Sequence, residues 1–215
     1  FFATGISSVI HPKNPFCPTV HMNMRYFELQ TPTTTLWWFG GGADLTPYYL
    51  NDEDNQQFHC TLKQACDAAD QTYYPNFKQR CDDYFYLPHR QEHRGIGGIF
   101  FDYLHHKSQA HYLELIQACG EAWQNAYFPI IEHRHQTRYT PQQRQWQAYR
   151  RGRYVEFNLL HDRGTKFGLA TNGRIESIFM SLPPQAEWIY NYQPQPGSPE
   201  AALEKRLTDP PLSYC

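Results

Sequence analysis

Apolar and polar residues alternate strictly in one early segment of the chain, Thr19–Glu28. One face of this segment carries Val20, Met22, Met24 and Tyr26, and the other carries His21, Asn23, Arg25 and Phe27. Because successive side chains of a strand point to opposite sides, the alternation predicts a strand with an apolar back. A turn around Thr31-Pro32 leads to a second predicted strand, Thr34–Phe39, which we expect Gly40–Gly42 to end.

Further segments follow strand or helix periodicity. The strand-length runs are Gly98–Tyr103, Arg153–His161 and Arg174–Leu182. Helical spacing and capping residues predict helices over Asn51–Gln71, Pro75–Phe85, Ser108–Ala126 and Thr140–Arg151, with a short helix after the linker Gln193–Pro199. Thr140 has the clearest start signals, because Pro141 follows it and Gln143 completes a capping box, and Gly152 is expected to end that helix.

Strand pairs towards both ends of the chain, with helices in blocks between them, favour the α+β class. We expect a single domain over residues 1–215, built on a large, mainly antiparallel sheet that helices flank. The chain has no βαβ rhythm, G-x-G-x-x-G motif or P-loop motif, so a nucleotide cofactor is not expected.

The composition is that of a globular protein, with 40% hydrophobic residues and a net charge of −2. No basic stripe indicates nucleic acid, and no apolar run approaches the roughly 18 residues that a membrane span needs. Aromatic residues make up 16% of the chain, which suits a cavity for a flat, partly polar ligand or simply an aromatic core.

The first residues indicate whether the chain is a fragment, and the cysteines indicate the redox state of its compartment. The chain starts at Phe1 with neither Met nor a basic signal region, so we expect a fragment that lacks its amino-terminal part. The six cysteines form no C-x-x-C pair, which favours buried free thiols in a reducing cytoplasm over a disulfide framework. Nor do they cluster as an iron–sulfur centre requires.

The polar face of the first predicted strand is the first candidate site. His21, Asn23 and Arg25 would project from one side at about 7 Å intervals. Arg can bind a carboxylate with two hydrogen bonds, Asn adds a neutral one, and His can transfer a proton near neutral pH. The alternative is the solvated face of a half-buried strand.

Two turns are further candidates. Asp162 and Arg163 are followed by Gly164 at the end of a predicted strand, where a carboxylate could face N–H donors of a ligand or merely begin a turn. Asn172-Gly173 predicts a tight turn that delivers Arg174 to the start of the next strand, and this too is either a plain turn or part of a site.

Several of these segments resemble the oxygen-dependent (aerobic) coproporphyrinogen III oxidase family. The matching stretches are Ser7-Ser8-Val9 with His11-Pro12, Pro18–Glu28, Trp37–Tyr49, Cys81–Arg90, Arg94–Asp102, Tyr154–Leu169 and Gly173–Pro184. They keep the order and spacing of the family up to about Trp188. One departure is Asn172, which stands where some members have Gly, and Asn tolerates the positive φ involved.

The resemblance implies a haem-pathway enzyme, a homodimer with its contact around residues 154–188. It would convert two propionates of coproporphyrinogen III to vinyl groups, giving protoporphyrinogen IX, with molecular oxygen as co-substrate and no organic cofactor. The implied substrate-binding residues are Ser7, Asn23, Met24, Arg25, Asn172, Gly173 and Arg174. The implied catalytic residues are His21 as proton donor, and Asp162 and Arg163, which would hold the pyrrole nitrogens and a propionate.

A divalent metal is a further implication of the resemblance. His11, His21, His59 and His89 fall where bacterial members are described as binding one, whereas eukaryotic members are regarded as working without metal. The residues themselves give little support, because the four histidines lack the tight spacing of a metal motif. Moreover, a nitrogen that binds metal cannot carry the proton expected of His21.

Two other functions remain compatible with these residues. One is a histidine-ligated iron oxygenase of another kind, for which no facial His/His/carboxylate spacing is visible. The other is a tetrapyrrole carrier without catalysis, whose pocket would be similar. The absent cysteine cluster argues against the radical-based, oxygen-independent route to the same product.

Overall fold

A computed structural model describes all residues, 1–215, and shows an α+β fold, as predicted. The strands are β1 (Phe2–Ile10), β2 (Thr19–Gln30), β3 (Thr35–Thr46), β4 (Tyr86–Leu87), β5 (Glu92–His93) and β6 (Gly97–Leu104). The helices are α1 (Asp52–Ala69), α2 (Tyr73–Tyr84), α3 (Gln109–Arg134), α4 (Pro141–Leu160), α5 (Arg163–Ala170), α6 (Ile175–Phe179) and α7 (Pro199–Thr208).

The main sheet is antiparallel throughout, in the order β1-β2-β3-β6, and β4 pairs with β5 separately. The alternation predicted for β2 is present, and its apolar back is buried against residues of α1 and α3. The opposite, front face carries His21, Asn23 and Arg25. In the register of the sheet, His21 pairs with Asp44 of β3 and Asn23 pairs with Ser7 of β1.

The glycines of β3 lie inside the strand, and the prediction that Gly40–Gly42 end it is wrong. A Cβ atom on Gly42 would lie 2.6 Å from the carbonyl oxygen of Ile99, and one on Gly41 would lie 2.7 Å from that of Asn23. Glycine is therefore used here because neighbouring strands approach too closely for a side chain.

Two predicted strands are helical, so those predictions are wrong. Arg153–His161 belongs almost entirely to α4, which continues through Gly152, and Arg174–Leu182 contains the short helix α6. Arg153, Tyr154, Val155, Phe157 and Asn158 are all buried in this part of α4, so the segment has no regularly exposed face that would indicate a helix. The periodicity of a short buried segment does not distinguish a helix from a strand.

Helices α1 and α2 were predicted within a few residues, whereas α5 was not predicted and α3 is longer than expected. That helix continues to Arg134 with Pro129 inside it, instead of ending near Ala126. The capping box of α4 is confirmed, since Thr140 accepts a hydrogen bond from the Gln143 backbone N–H and the Gln143 side chain accepts one from the Thr140 N–H. No helix combines the length and apolar character that a membrane crossing requires.

The cysteines differ from expectation. Cys60 of α1 and Cys215 form a disulfide across 155 positions of sequence, whereas the other four cysteines are free and buried. The ring of Tyr214 stacks on His59 at 4.6 Å between centroids, so the last residues pack against α1. The expectation of free thiols alone was wrong because pairing over such a distance depends on where the chain end packs.

Candidate functional site

A cavity of about 230 Å³ opens on the front face of the main sheet. Strands β1, β2, β3 and β6 contribute to it, together with side chains from α2, α4, α5 and α6. Five of the predicted site residues border this cavity: Ser7, His21, Asn23, Arg25 and Asp162. The cavity thus combines the polar face of β2 with a residue far away in sequence.

His21 is held by a residue that the sequence did not single out. Its Nδ1 lies 2.9 Å from Oδ1 of Asp44, which is 2% exposed and directly opposite in the register of β2 and β3. Burial raises the pKa of Asp44, but the charge of Arg94 and the hydrogen bonds from His21 and Arg94 outweigh it and hold that pKa below its ordinary value. An ionised carboxylate only accepts hydrogen bonds, so Nδ1 of His21 carries a hydrogen and Nε2 remains for a ligand.

Arg94, the second partner of Asp44, is buried among aromatic rings. Its Nη2 donates to Oδ2 of Asp44 at 2.6 Å and its Nη1 donates to Oδ1 of Asn158 at 3.0 Å. The guanidinium carbon lies 4.0 Å from the ring centre of Phe85, 4.2 Å from that of Tyr154 and 4.8 Å from that of Phe157. These rings and the carboxylate compensate a positive charge that is otherwise costly to bury.

Two arginines share a carboxylate beside the cavity. Arg25 donates to Oδ1 of Asn23 at 2.8 Å, and its Nη2 lies 3.1 Å from Oδ2 of Asp102. Arg163 lies outside the cavity lining; its Nη2 is 3.8 Å from the same Asp102 oxygen, and its guanidinium covers the ring of Tyr84 at 4.9 Å. Both arginines keep exposed surface through which they can bind an anion.

Asp162 begins a helix instead of following a strand. It caps α5, and its carboxylate accepts hydrogen bonds from the Thr165 backbone N–H at 2.7 Å and from the Tyr84 hydroxyl at 2.8 Å. Burial raises the pKa of Asp162, yet these hydrogen bonds and the charge of Arg94 lower it below its ordinary value. The carboxylate is therefore ionised near neutral pH, and its remaining lone pairs can accept hydrogen bonds from a ligand in the cavity.

The remaining predicted substrate-binding residues do not border the cavity. Met24 belongs to the buried core behind the sheet. Asn172 and Gly173 connect α5 to α6, and Asn172 has a φ of 53°, so the predicted turn is present, although it joins two helices. Arg174 precedes α6 and is exposed.

The four histidines predicted as metal ligands are separated by their other contacts. His59 is fully buried and bonds to the Tyr74 hydroxyl and the Ile96 carbonyl oxygen. His11 bonds to the Thr19 hydroxyl and the Ser181 carbonyl oxygen, and His89 bonds to Glu156 and His161. No group of three or more His, Cys, Asp or Glu side chains is placed to hold a metal ion. The residues present do not fit a shared metal, and we derive no chemical step from one.

The residues that sequence reasoning missed are Asp44, Arg94, Asn158, Tyr84 and Asp102. All five are polar or aromatic side chains whose roles depend on contacts between distant elements. Asp44 comes shortly after the three glycines of β3, and this position was the only local feature of the sequence that could have indicated a site residue. The pairing register that places it opposite His21 is absent from the sequence pattern.

Comparison with known proteins gives consistent results. The family model described as Coproporphyrinogen III oxidase matches residues 1–211. The chain is 54% identical over 215 aligned residues to the chloroplastic oxygen-dependent coproporphyrinogen-III oxidase of Hordeum vulgare, covering 98% of this chain and 55% of that protein. It is 55% identical over 212 residues to the mitochondrial enzyme of Mus musculus, covering 98% of the chain and 48% of that protein. The chain therefore spans about half the length of these relatives.

These relatives correct one prediction. Their names place them in the chloroplast or the mitochondrion, as with the chloroplastic coproporphyrinogen-III oxidase 1 of Arabidopsis thaliana, which is 52% identical over 215 residues, covering 98% of the chain and 56% of that protein. The expectation of a cytoplasmic location is thus contradicted. It came from cysteine spacing, which reports the redox state of a compartment and does not identify the compartment.

Proposed function

Because the chain belongs to the coproporphyrinogen III oxidase family, we propose that it takes part in the oxidative decarboxylation of two propionates of coproporphyrinogen III. Each propionate loses carbon dioxide and a hydride equivalent and leaves a vinyl group, and molecular oxygen takes up the hydride equivalent and a proton to give hydrogen peroxide. The product is protoporphyrinogen IX, an intermediate of haem biosynthesis. The observation that carries this proposal is the convergence of His21, Arg25 and Asp162 on one cavity.

The size of the cavity limits how a substrate can bind. About 230 Å³ is less than the roughly 300–1,000 Å³ of pockets that enclose a drug-sized ligand. We therefore propose that the cavity takes one pyrrole ring with its propionate at a time, while the rest of the macrocycle extends from the opening. This arrangement is compatible with two successive decarboxylations, between which the macrocycle turns.

The charged groups have complementary roles in this proposal. Arg25 binds the propionate carboxylate inside the cavity, and Arg163 adds a second guanidinium at its edge. The ionised carboxylate of Asp162 accepts a hydrogen bond from the pyrrole N–H and stabilises positive charge that develops on the ring as a hydride equivalent leaves the propionate β-carbon for molecular oxygen. The electron-poor ring then accepts the electrons of the breaking C–C bond.

His21 supplies proton transfer. Asp44 fixes its Nδ1–H, which leaves Nε2 to exchange a proton with the reacting group. Ser7 and Asn23 add neutral hydrogen bonds at the same cavity. The contacts expected of Met24, Asn172, Gly173 and Arg174 stay predictions, because these residues lie away from the cavity lining.

We also propose that two copies associate through residues 154–188 and the segment just after them. Ten exposed large hydrophobic side chains lie between residues 159 and 190. They are Leu159, Leu160, Phe167, Leu169, Ile175, Phe179, Met180, Trp188, Ile189 and Tyr190. A surface of this kind is typical of a protein–protein contact. Sedimentation should show a dimer that Met180→Asp shifts towards monomer, and a monomeric wild type would contradict the proposal.

The function is tested by oxygen uptake with reduced coproporphyrinogen III, with and without a metal chelator. We expect oxygen consumption matched by protoporphyrinogen IX, measured by chromatography after oxidation to the fluorescent porphyrin. Asp162→Asn should lower turnover by about 10²-fold or more while substrate still binds. Binding without oxygen consumption would instead identify a tetrapyrrole carrier.

A further inference from the structure

Strand β6 contains an irregularity beside the cavity. Gly41 pairs with Phe101 and Phe39 pairs with Leu104, so Asp102 and Tyr103 together lie opposite the single residue Gly40. Tyr103 has a φ of 57°, which is uncommon for a residue with a large side chain. An extra residue of this kind redirects side chains, and such bulges are frequent next to functional sites.

The bulge directs the carboxylate of Asp102 towards the two arginines at the cavity. One oxygen lies 3.1 Å from Nη2 of Arg25 and 3.8 Å from Nη2 of Arg163, and the other accepts a hydrogen bond from the Tyr103 backbone N–H at 3.1 Å. Asp102 is thus fixed by its own strand and contacts two guanidinium groups from separate elements.

Gly40 leaves room for this arrangement. A Cβ atom on Gly40 would lie 2.7 Å from Nε of Arg25 and 2.7 Å from Oδ1 of Asp102. Both atoms belong to side chains that lie directly beside the glycine. The pairing of Arg25 with Asp102 therefore depends on the absence of a side chain at residue 40.

The charges at this point are unequal. Arg25 and Arg163 carry two positive charges and Asp102 carries one negative charge, which leaves one positive charge for a ligand. The guanidinium side chains are 36% and 56% exposed, so a second carboxylate can reach them. The carboxymethyl group of aspartate is also a close chemical analogue of the end of a propionate.

We propose that Asp102 is a positioning residue that orients Arg25 and Arg163 and competes with the substrate propionate for their guanidinium groups. This proposal rests on the proposed function and deepens it. Without ligand, Asp102 holds Arg25 in the cavity lining and Arg163 at the edge of the cavity. With ligand, its charge limits the affinity for any one carboxylate, so that the propionates of the macrocycle can exchange at the two arginines.

The proposal is tested by whether Asp102→Asn raises or lowers the dissociation constant of a ligand, measured on the full-length native protein. The ligand is coproporphyrin III, the aromatic form of the substrate, which we expect to bind without reacting, and binding is followed by fluorescence quenching. We expect Asp102→Asn to lower the dissociation constant about fivefold and to make it more dependent on salt. Asp102→Glu, which keeps the charge, should stay within about twofold of wild type. A residue that only supports the fold would weaken binding when changed, so equal or weaker binding by Asp102→Asn overturns the proposal.

A matched control and a second ligand separate the two proposals. Asp209→Asn removes an exposed carboxylate that pairs with Lys205 outside the cavity, and it should leave affinity unchanged. Propionate itself, titrated against the arginine side-chain N–H resonances, tests Asp102 independently of the tetrapyrrole, and Asp102→Asn should again bind more tightly. If wild type binds propionate but no coproporphyrin III, the proposed function fails while the role of Asp102 stands. If Asp102→Asn does not fold, Asp102→Ala gives the same expected sign.

Discussion

The Nδ1 atom of His21 lies 2.9 Å from Oδ1 of Asp44, and Oδ2 of the same carboxylate accepts a hydrogen bond from Arg94 at 2.6 Å. One buried aspartate therefore joins a histidine at the cavity to a buried cation. The histidine gains a fixed ring orientation, and the cation gains the charge partner that its burial requires. If His21 acts as proposed, function and stability depend on the same carboxylate.

Substitution of Asp44 should affect both properties. In Asp44→Asn the Arg94 charge stays buried without an acidic partner, so we expect the free energy of unfolding to fall by about 3 kcal/mol. Turnover should fall by about 10²-fold, because the His21 tautomer is no longer fixed. Denaturant titration and oxygen uptake measure the two effects.

A double variant provides the control for this prediction. Asp44→Asn combined with Arg94→Met removes both charges, so it should lose less stability than the sum of the two single variants. Its activity should stay low, because His21 still lacks its partner. Additive losses of stability would contradict the charge coupling.

The sequence pattern identified the polar face of β2 but not what completes the site. Alternation in β2 is sufficient to place His21, Asn23 and Arg25 on one side. The position of Asp44 opposite His21 depends on strand register, and Arg94 depends on rings from separate elements, so neither has a local signal. The residues around Tyr154 were read as a strand because short aromatic segments fit both periodicities.

A second prediction concerns neighbouring glycines of β3. In Gly40→Ala the new methyl group meets the ends of the Arg25 and Asp102 side chains, which can move, so stability should change by less than about 1 kcal/mol while the affinity for coproporphyrin III changes severalfold. In Gly42→Ala the methyl group meets the Ile99 carbonyl oxygen at 2.6 Å, and the backbone cannot yield easily. We expect a stability loss of about 2 kcal/mol there.

Thermal unfolding and porphyrin binding measured on both glycine variants check this contrast. The two positions lie on the same strand and on the same face, so each variant serves as the control for the other. Equal stability losses in the two variants would show that the side chains of Arg25 and Asp102 cannot move away from a methyl group at residue 40.

The half-buried His11 and the buried His59 predict how stability depends on pH. Burial lowers the pKa of His11 to about 4 and that of His59 to about 3, from an ordinary value of 6.5. Between pH 6.5 and 4 the unfolded chain therefore binds more protons than the folded one. The free energy of unfolding is therefore highest above pH 6.5. It falls as the pH decreases towards 4, by roughly 3 kcal/mol per histidine.

Unfolding by denaturant at several pH values measures this slope. His59→Gln should reduce it, because one of the two proton acceptors is removed. Tyr74→Phe is the matched variant, since it deletes the hydroxyl partner of His59 but keeps the imidazole, so it should lower stability at every pH and preserve the slope. A wild-type stability that stays constant from pH 7 to pH 4 would disprove the prediction.

The disulfide predicts a response to reducing agents. Because Cys60 and Cys215 enclose a long loop, breaking their bond should lower the free energy of unfolding by about 2–5 kcal/mol. Cys215→Ser should show this loss without reductant, and dithiothreitol should bring wild type to the same stability. Before reduction, the native protein should expose no thiol to alkylation, since its four free cysteines are buried. Wild-type stability unchanged by dithiothreitol would contradict the pairing.

The aromatic surroundings of Arg94 extend the functional unit beyond its polar atoms. Phe85 follows α2, whereas Tyr154 and Phe157 belong to α4, so the cation that supports Asp44 is enclosed only after these two helices have docked on the sheet. The arrangement of Asp44 and His21 therefore depends on the packing of α2 and α4 as well as on the pairing of β2 with β3. Phe85 and Phe157 have no acid–base chemistry, yet they help to hold the charge that supports His21 through Asp44.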